Sequence, residues 1–292
     1  MRRFAPWIIS LTLVSLVVSK MVPQKPASGF DVAGFGRLPL LVDGRVMPMD
    51  SLARISLSIM QGRQTYETAE GKKAPAIRWL METLMAPERA DNLKIFLVIN
   101  PDVLGLFGWS NRKDKYFTLN ELRASSDEIR RQSELAEQAE PQIRSAFQRQ
   151  IIKLKDALML YLRLKNSLQV EGSSDFGKEV AAFDRVILPG MQAIRDRDAG
   201  REFDSRAFDS ILLFTQRYQN VCQARYVYAF PNPAVPGSDP QWQHLGPALL
   251  GAISAGHISD PLRAYSQMIS NFRNDDPSGF NYHLSEFDTC RK

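Results

Sequence analysis

The chain of 292 residues has two cysteines and three histidines. Two thiols cannot build a disulfide framework or a four-cysteine zinc site, and three imidazoles leave few ways to hold a metal. No C-x-x-C occurs, which removes thioredoxin-like exchange. Without C-x-x-C-H, the chain is not itself a c-type cytochrome. G-x-S-x-G, Walker A, Rossmann and H-E-x-x-H patterns are missing as well, so no catalytic constellation is visible. Charge of one sign is scarce: 37 Lys and Arg stand against 32 Asp and Glu, a formal +5. The basic residues alternate with acids, as across 121–165, instead of gathering in a stripe, which argues against nucleic acid as a partner.

Long apolar runs are equally scarce. One, Phe4 to Ser19, follows Arg2 and Arg3 and ends at Lys20. A single run excludes a polytopic membrane protein. A positive flank before an apolar core is the layout of an N-terminal anchor or an export signal. Both readings stand, because Val17-Val18-Ser19 is a tolerable cleavage sequence. With Met21 and Val22 added, the run approaches the roughly 20 residues that span a bilayer. In either case the chain from about Gln24 onward is expected outside the cytoplasm, on the outer side of the cytoplasmic membrane.

What is present is ordinary globular material: 44% hydrophobic and 24% charged residues exclude wholesale disorder. The pattern predicts a mainly α chain with a small β portion, an α+β fold behind the N-terminal segment. The organisation reads as 1–22 signal anchor or signal peptide, 23–37 spacer and 38–124 α+β subdomain. Residues 125–229 read as a helical bundle, 230–241 as a proline-rich linker and 242–292 as a C-terminal helical segment. Asp43-Gly44 between Leu38–Val42 and Arg45–Met47 is a hairpin signal, since glycine accepts the positive φ of the turn. Pro48 ends that strand, and Asp50 is expected to N-cap a helix carrying Leu52, Ile55 and Ile59 on one face.

Farther on, Lys94–Ile99 reads as a strand, and Thr118-Leu-Asn-Glu121 and Ser125-Ser-Asp-Glu128 as capping boxes. Ile143, Phe147, Ile151, Leu154, Leu158, Tyr161 and Lys165 draw one stripe on a long helix, for packing at home or against a partner. Phe176 to Ile187, up to Pro189-Gly190, and Phe208 to Cys222 give two more helices. With the first they suit an antiparallel bundle. Asp260-Pro261 and Asp276-Pro277 read as N-cap acids followed by proline at the first helical position.

Few residues suggest chemistry. Gly44, Arg45, Pro48 and Asp50 form a candidate partner-binding cluster, although a turn alone explains Asp43 and Gly44. His244, in Trp242-Gln-His, together with His257 and His283, are the candidate haem ligands. Cys222 and Cys290 can be oxidised together outside the cytoplasm, or Cys222 can sit as a buried thiol on its helix stripe.

The stretch Leu38-Pro-Leu-Leu-Val-Asp-Gly-Arg-Val-Met-Pro-Met-Asp-Ser-Leu-Ala-Arg54 resembles a segment found just after the first membrane anchor of ResB–CcsA type (System II) cytochrome c biogenesis proteins. Phe96-Leu-Val-Ile-Asn-Pro-Asp-Val-Leu104, Lys115-Tyr-Phe-Thr-Leu-Asn-Glu-Leu122 and the region from Pro231 through Trp242 to Phe280-Asn281 are similar in the same order. The resemblance implies a place in the machinery that delivers haem and attaches it to apocytochromes outside the cytoplasm. The tryptophan-rich W-G-x-x-W-x-W-D haem segment and the later membrane helices with their histidines are not in this sequence, so no haem-binding residue carries over. The implied role is a non-catalytic accessory module that binds no cofactor of its own and meets haem through a partner. Its implied partners are a membrane-embedded haem-handling cytochrome c synthetase subunit and apocytochrome c. A general exported helical chaperone or adaptor unrelated to haem is the alternative.

Overall fold

Proline and Asp-Gly chemistry sets the first elements. A computed structural model describes residues 29–222, 226–231 and 242–290. The expected anchor or signal at 1–22 and most of the proline-rich segment lie outside the described residues. Among those residues the fold is mainly helical, with four two-stranded antiparallel ribbons, and no helix is long and apolar enough to cross a membrane.

Asp31 caps α1 (Val32–Arg37) by accepting the Gly34 N–H at 2.7 Å. Strands β1 (Pro39–Val42) and β2 (Arg45–Pro48) then pair with Val42 opposite Arg45, as the Asp-Gly signal requires. Helix α2 (Met49–Gln61) follows at once. Its N-cap is Pro48 and not Asp50, which lies inside the first turn, pairs with Arg54 at 2.8 Å and complements the helix dipole. The buried face of α2 is Met49, Leu52, Ala53, Ser56, Leu57 and Met60, while Ile55 and Ile59 are exposed. Small Ala53 and Ser56 complete the inward stripe and turn the two isoleucines outward.

A second ribbon, β3 (Thr65–Glu67) with β4 (Lys73–Pro75), leads into α3 (Ala76–Met85), a helix buried on nearly every side around Trp79 and Leu80. Pro87 opens α4 (Pro87–Ala90). The apolar run 94–99 contributes only β5 (Phe96–Leu97), paired with β6 (Tyr116–Phe117). Between them Asn100 caps α5 (Pro101–Leu106).

The first capping box forms in full. Thr118 Oγ1 accepts the Glu121 N–H at 3.1 Å, and Glu121 accepts the Thr118 N–H at 2.8 Å, opening α6 (Leu119–Arg123). The second does not form, because at the start of α7 (Ser126–Glu137) Glu128 is drawn to Arg131 and Gln132 instead. An unforeseen box, Ser145 with Gln148, starts α8 (Ala146–Lys165) and leaves Ile143 outside the helix.

Helix α8 packs against α2, α3, α5 and α7 rather than against the two helices that follow it. A polar node fixes this choice. Asp91, buried after α4, accepts the Tyr161 hydroxyl at 2.9 Å and the Lys165 ammonium at 2.7 Å. An unpaired carboxylate there would be costly, so both α8 groups are held against the N-terminal half.

Helices α9 (Phe176–Asp198) and α10 (Ser205–Val221) pack on each other. The Pro189-Gly190 pair does not end α9. Pro189 removes one hydrogen bond on an exposed face, and Gly190 is where Ile211 of α10 comes closest.

Strands β7 (Phe230–Pro231) and β8 (Trp242–Gln243) pair with each other, so the segment read as a linker leaves and returns on one ribbon. Helices α11 (Leu245–Ala255), α12 (Asp260–Arg273) and α13 (Pro277–Cys290) complete the chain. Asp276 caps α13 through the Gly279 N–H at 3.1 Å. Asp260 instead is the first residue of α12, behind Ser259. One connected set of buried apolar side chains runs from Phe35 to Phe287.

Two measurements check this packing. A Cβ on Gly190 would stand 2.5 Å from Ile211 Cβ. Gly190→Val is therefore expected to lower stability in urea unfolding by about 1–3 kcal/mol, with partial recovery in combination with Ile211→Ala. Burial pushes Glu121 up, but its bonds to Arg112 and to the Thr118 N–H hold the carboxyl below its ordinary 4.5. A depressed folded-state value means that this contribution is complete above pH 4.5 and fades as pH falls through the lower value. Glu121→Gln should flatten the loss of stability in that acidic window.

Candidate docking surface

The hairpin of Pro39–Pro48 is half core and half surface. Leu40 and Val42 of β1 are buried, whereas Gly44, Arg45, Val46 and Pro48 are exposed. The turn places Asp43 at φ 47° and Gly44 at φ 75°, the two positive values of a type I′ turn. Of the four residues expected to act together, Gly44 and Arg45 share the exposed tip and Pro48 lies at its foot. Asp50 is engaged by Arg54 on α2 and half-buried.

A late segment holds this hairpin in place. Leu41 and Tyr228 exchange both backbone hydrogen bonds, at 2.9 and 3.0 Å, which brings residues 226–228 beside β1. Burial raises the Tyr226 hydroxyl above its usual 10.0; the Asp43 carboxylate adds to this and the Arg163 guanidinium opposes it. Tyr226 thus sits within the fields of the hairpin turn and of the C-terminal end of α8.

From Arg163 the surface continues along α8. Met159, Leu162 and Arg163 form an exposed ridge that lines hollows on both sides. One hollow, about 800 Å³, is floored by Leu119, Leu122, Ile129 and Leu158; the other, about 510 Å³, reaches Val170 and Val221. Neither is lined by histidine or cysteine. A third hollow, between the ribbons β3–β4 and β5–β6, is mixed in charge, and there Lys94 and Asp114 satisfy each other at 2.7 Å.

No protein-family model and no curated protein matches this chain.

The histidines are not brought together. His244 is buried at the start of α11, with its ring edge-on to Tyr228 at 5.4 Å. His257 is exposed just past α11, its Nδ1 3.1 Å from the Ala255 carbonyl, and His283 meets Glu286 at 2.7 Å on α13. Among the described residues no three His, Cys, Asp or Glu side chains are grouped to hold a metal. Cys222 is half-buried and Cys290 exposed, the two are not bonded to each other in this structure, and the Cys222 sulfur lies close to Gly246 in the first turn of α11.

Sequence reasoning missed Met159, Leu162, Arg163 and Tyr226. The signal for the first two was present, since both are apolar residues off the inward stripe of α8, on a face otherwise charged.

The tip gives a direct prediction. Nothing lies within 4 Å of a Cβ built on Gly44, so substitution there costs backbone strain alone. Gly44→Ala should lower stability by about 1 kcal/mol in a thermal or urea melt, whereas Arg45→Ala should leave it nearly unchanged.

Proposed function

We propose that this protein is a non-catalytic accessory module of the machinery that delivers haem and attaches it to c-type cytochromes, held at the outer face of the cytoplasmic membrane. One observation carries the reading. The segment most similar to the ResB–CcsA type, Leu38–Arg54, buries one face in the core and presents the Asp43-Gly44-Arg45 turn to solvent. An exposed turn bedded on a buried strand is the form of a docking element.

In this role the chain positions and the partner reacts. The hairpin tip and the ridge hold a membrane-embedded haem-handling subunit or the apocytochrome, and fixed orientation shortens the search for the reactive geometry. Haem is the cargo of that partner. Thioether formation between its vinyl groups and the apocytochrome thiols takes place on the partner, not on this chain. His244, His257 and His283 lie apart and do not assemble a haem pocket among the described residues.

Loss of the gene should abolish most covalent haem staining of c-type cytochromes in membranes. Arg45→Glu should reduce co-purification of the haem-handling subunit by about tenfold without changing the melt. Unchanged staining in the deletion would turn the assignment toward a general exported chaperone or adaptor.

A further inference from the structure

The two hollows flanking α8 share one wall, and its side chains say what kind of partner fits. A small ligand would fill one hollow and leave the ridge bare. Two hollows with a raised wall between them instead match a partner that places side chains on both sides of that wall, as a helix laid across it does. The floor is apolar and the ridge is Met159, Leu162 and Arg163, residue types that favour interfaces when exposed together.

Charge decides the sign of the partner. Five cations line the hollows, Arg123, Arg130, Lys155, Arg163 and Arg217, against Asp127, Asp156 and Glu171. Four of the cations are already engaged. Arg123 meets Asp91 at 3.6 Å, Arg130 meets Asp127 at 3.4 Å, Lys155 meets Asp156 at 3.2 Å and Arg217 meets Glu179 at 2.7 Å. Arg163, on the shared wall, has no carboxylate within ion-pair distance among the described residues. A partner carboxylate that reaches it breaks no existing ion pair.

We infer that the α8 ridge docks an amphipathic helix of another polypeptide, with apolar side chains in the two hollows and a carboxylate on Arg163. The inference goes beyond the cytochrome reading, since it fixes the chemistry of the partner segment and requires nothing about haem.

The test uses two synthetic helical peptides with one leucine stripe, one bearing glutamates on its polar face and the other lysines. The full chain should bind the glutamate peptide at least about tenfold more tightly than the lysine peptide, and Arg163→Glu should remove that preference. Met159→Ala with Leu162→Ala should weaken binding of the glutamate peptide by a similar factor. Ile143→Glu, at an exposed apolar position beyond the other end of α8, should leave it unchanged. All are surface or ridge changes, and matching melts confirm that each variant is folded. Equal affinity for the two peptides, or an effect of Ile143→Glu as large as that of Arg163→Glu, would overturn the inference. Anionic-lipid vesicles that displace the glutamate peptide would also overturn it, assigning the face to a bilayer. Peptide binding with normal haem staining in the deletion strain would leave this surface standing and remove the cytochrome assignment; the reverse pattern would do the opposite.

Discussion

Leu41 and Tyr228 donate to and accept from each other at 2.9 and 3.0 Å, and much of the molecule is arranged around that exchange. It joins the first hairpin to the segment that follows α10, two parts of the chain far apart in sequence. Closing so long a loop costs entropy, and two backbone bonds do not offset it alone. The surrounding burial does: Leu40 and Val42 lie on one side of the pair, and Val227, Ala229 and Phe230 on the other. The same strand segment leads into the β7–β8 ribbon, where Phe230 stands edge-on to Tyr265 at 5.4 Å. Hairpin, ribbon and C-terminal helices are therefore held as one arrangement.

A second closure reinforces the first. Asn281 on α13 accepts the Asp31 N–H at 2.7 Å and donates to the Gly29 carbonyl at 3.0 Å, while Phe30 packs on Phe272 and Phe280 beneath Arg78. One asparagine thus satisfies two backbone groups where the described chain begins. The docking surface on α8 is tied by other means, through Asp91, Tyr161 and Lys165, so it keeps its shape independently of that closure.

Local chemistry was legible in the sequence, and long-range partnership was not. The Asp43-Gly44 turn, the Thr118–Glu121 box and the cap at Asp276 follow from spacing and from single side chains. The expected inward face of α2 fails at Ile55 and Ile59 because Ala53 and Ser56, too small to stand out in the pattern, complete the buried stripe. Pro189-Gly190 has the composition of a helix end, yet the contact with Ile211 that makes Gly190 useful inside α9 belongs to another helix. The proline-rich segment resembled a spacer because nothing local shows that its two ends pair. Of the docking surface, the hairpin tip could be read directly. Arg163 and Tyr226 could not, because their significance lies in which side chains the fold brings near them.

The closure at Leu41 and Tyr228 fixes the first hairpin against the segment that follows α10. Hydrogen exchange at the two amides tests it most directly. Both should exchange slowly and at matching rates, because the bonds break together when the closure opens. A Tyr228 amide that exchanges as fast as an open loop, while Leu41 remains protected, would contradict the closure and with it the bedding of the hairpin.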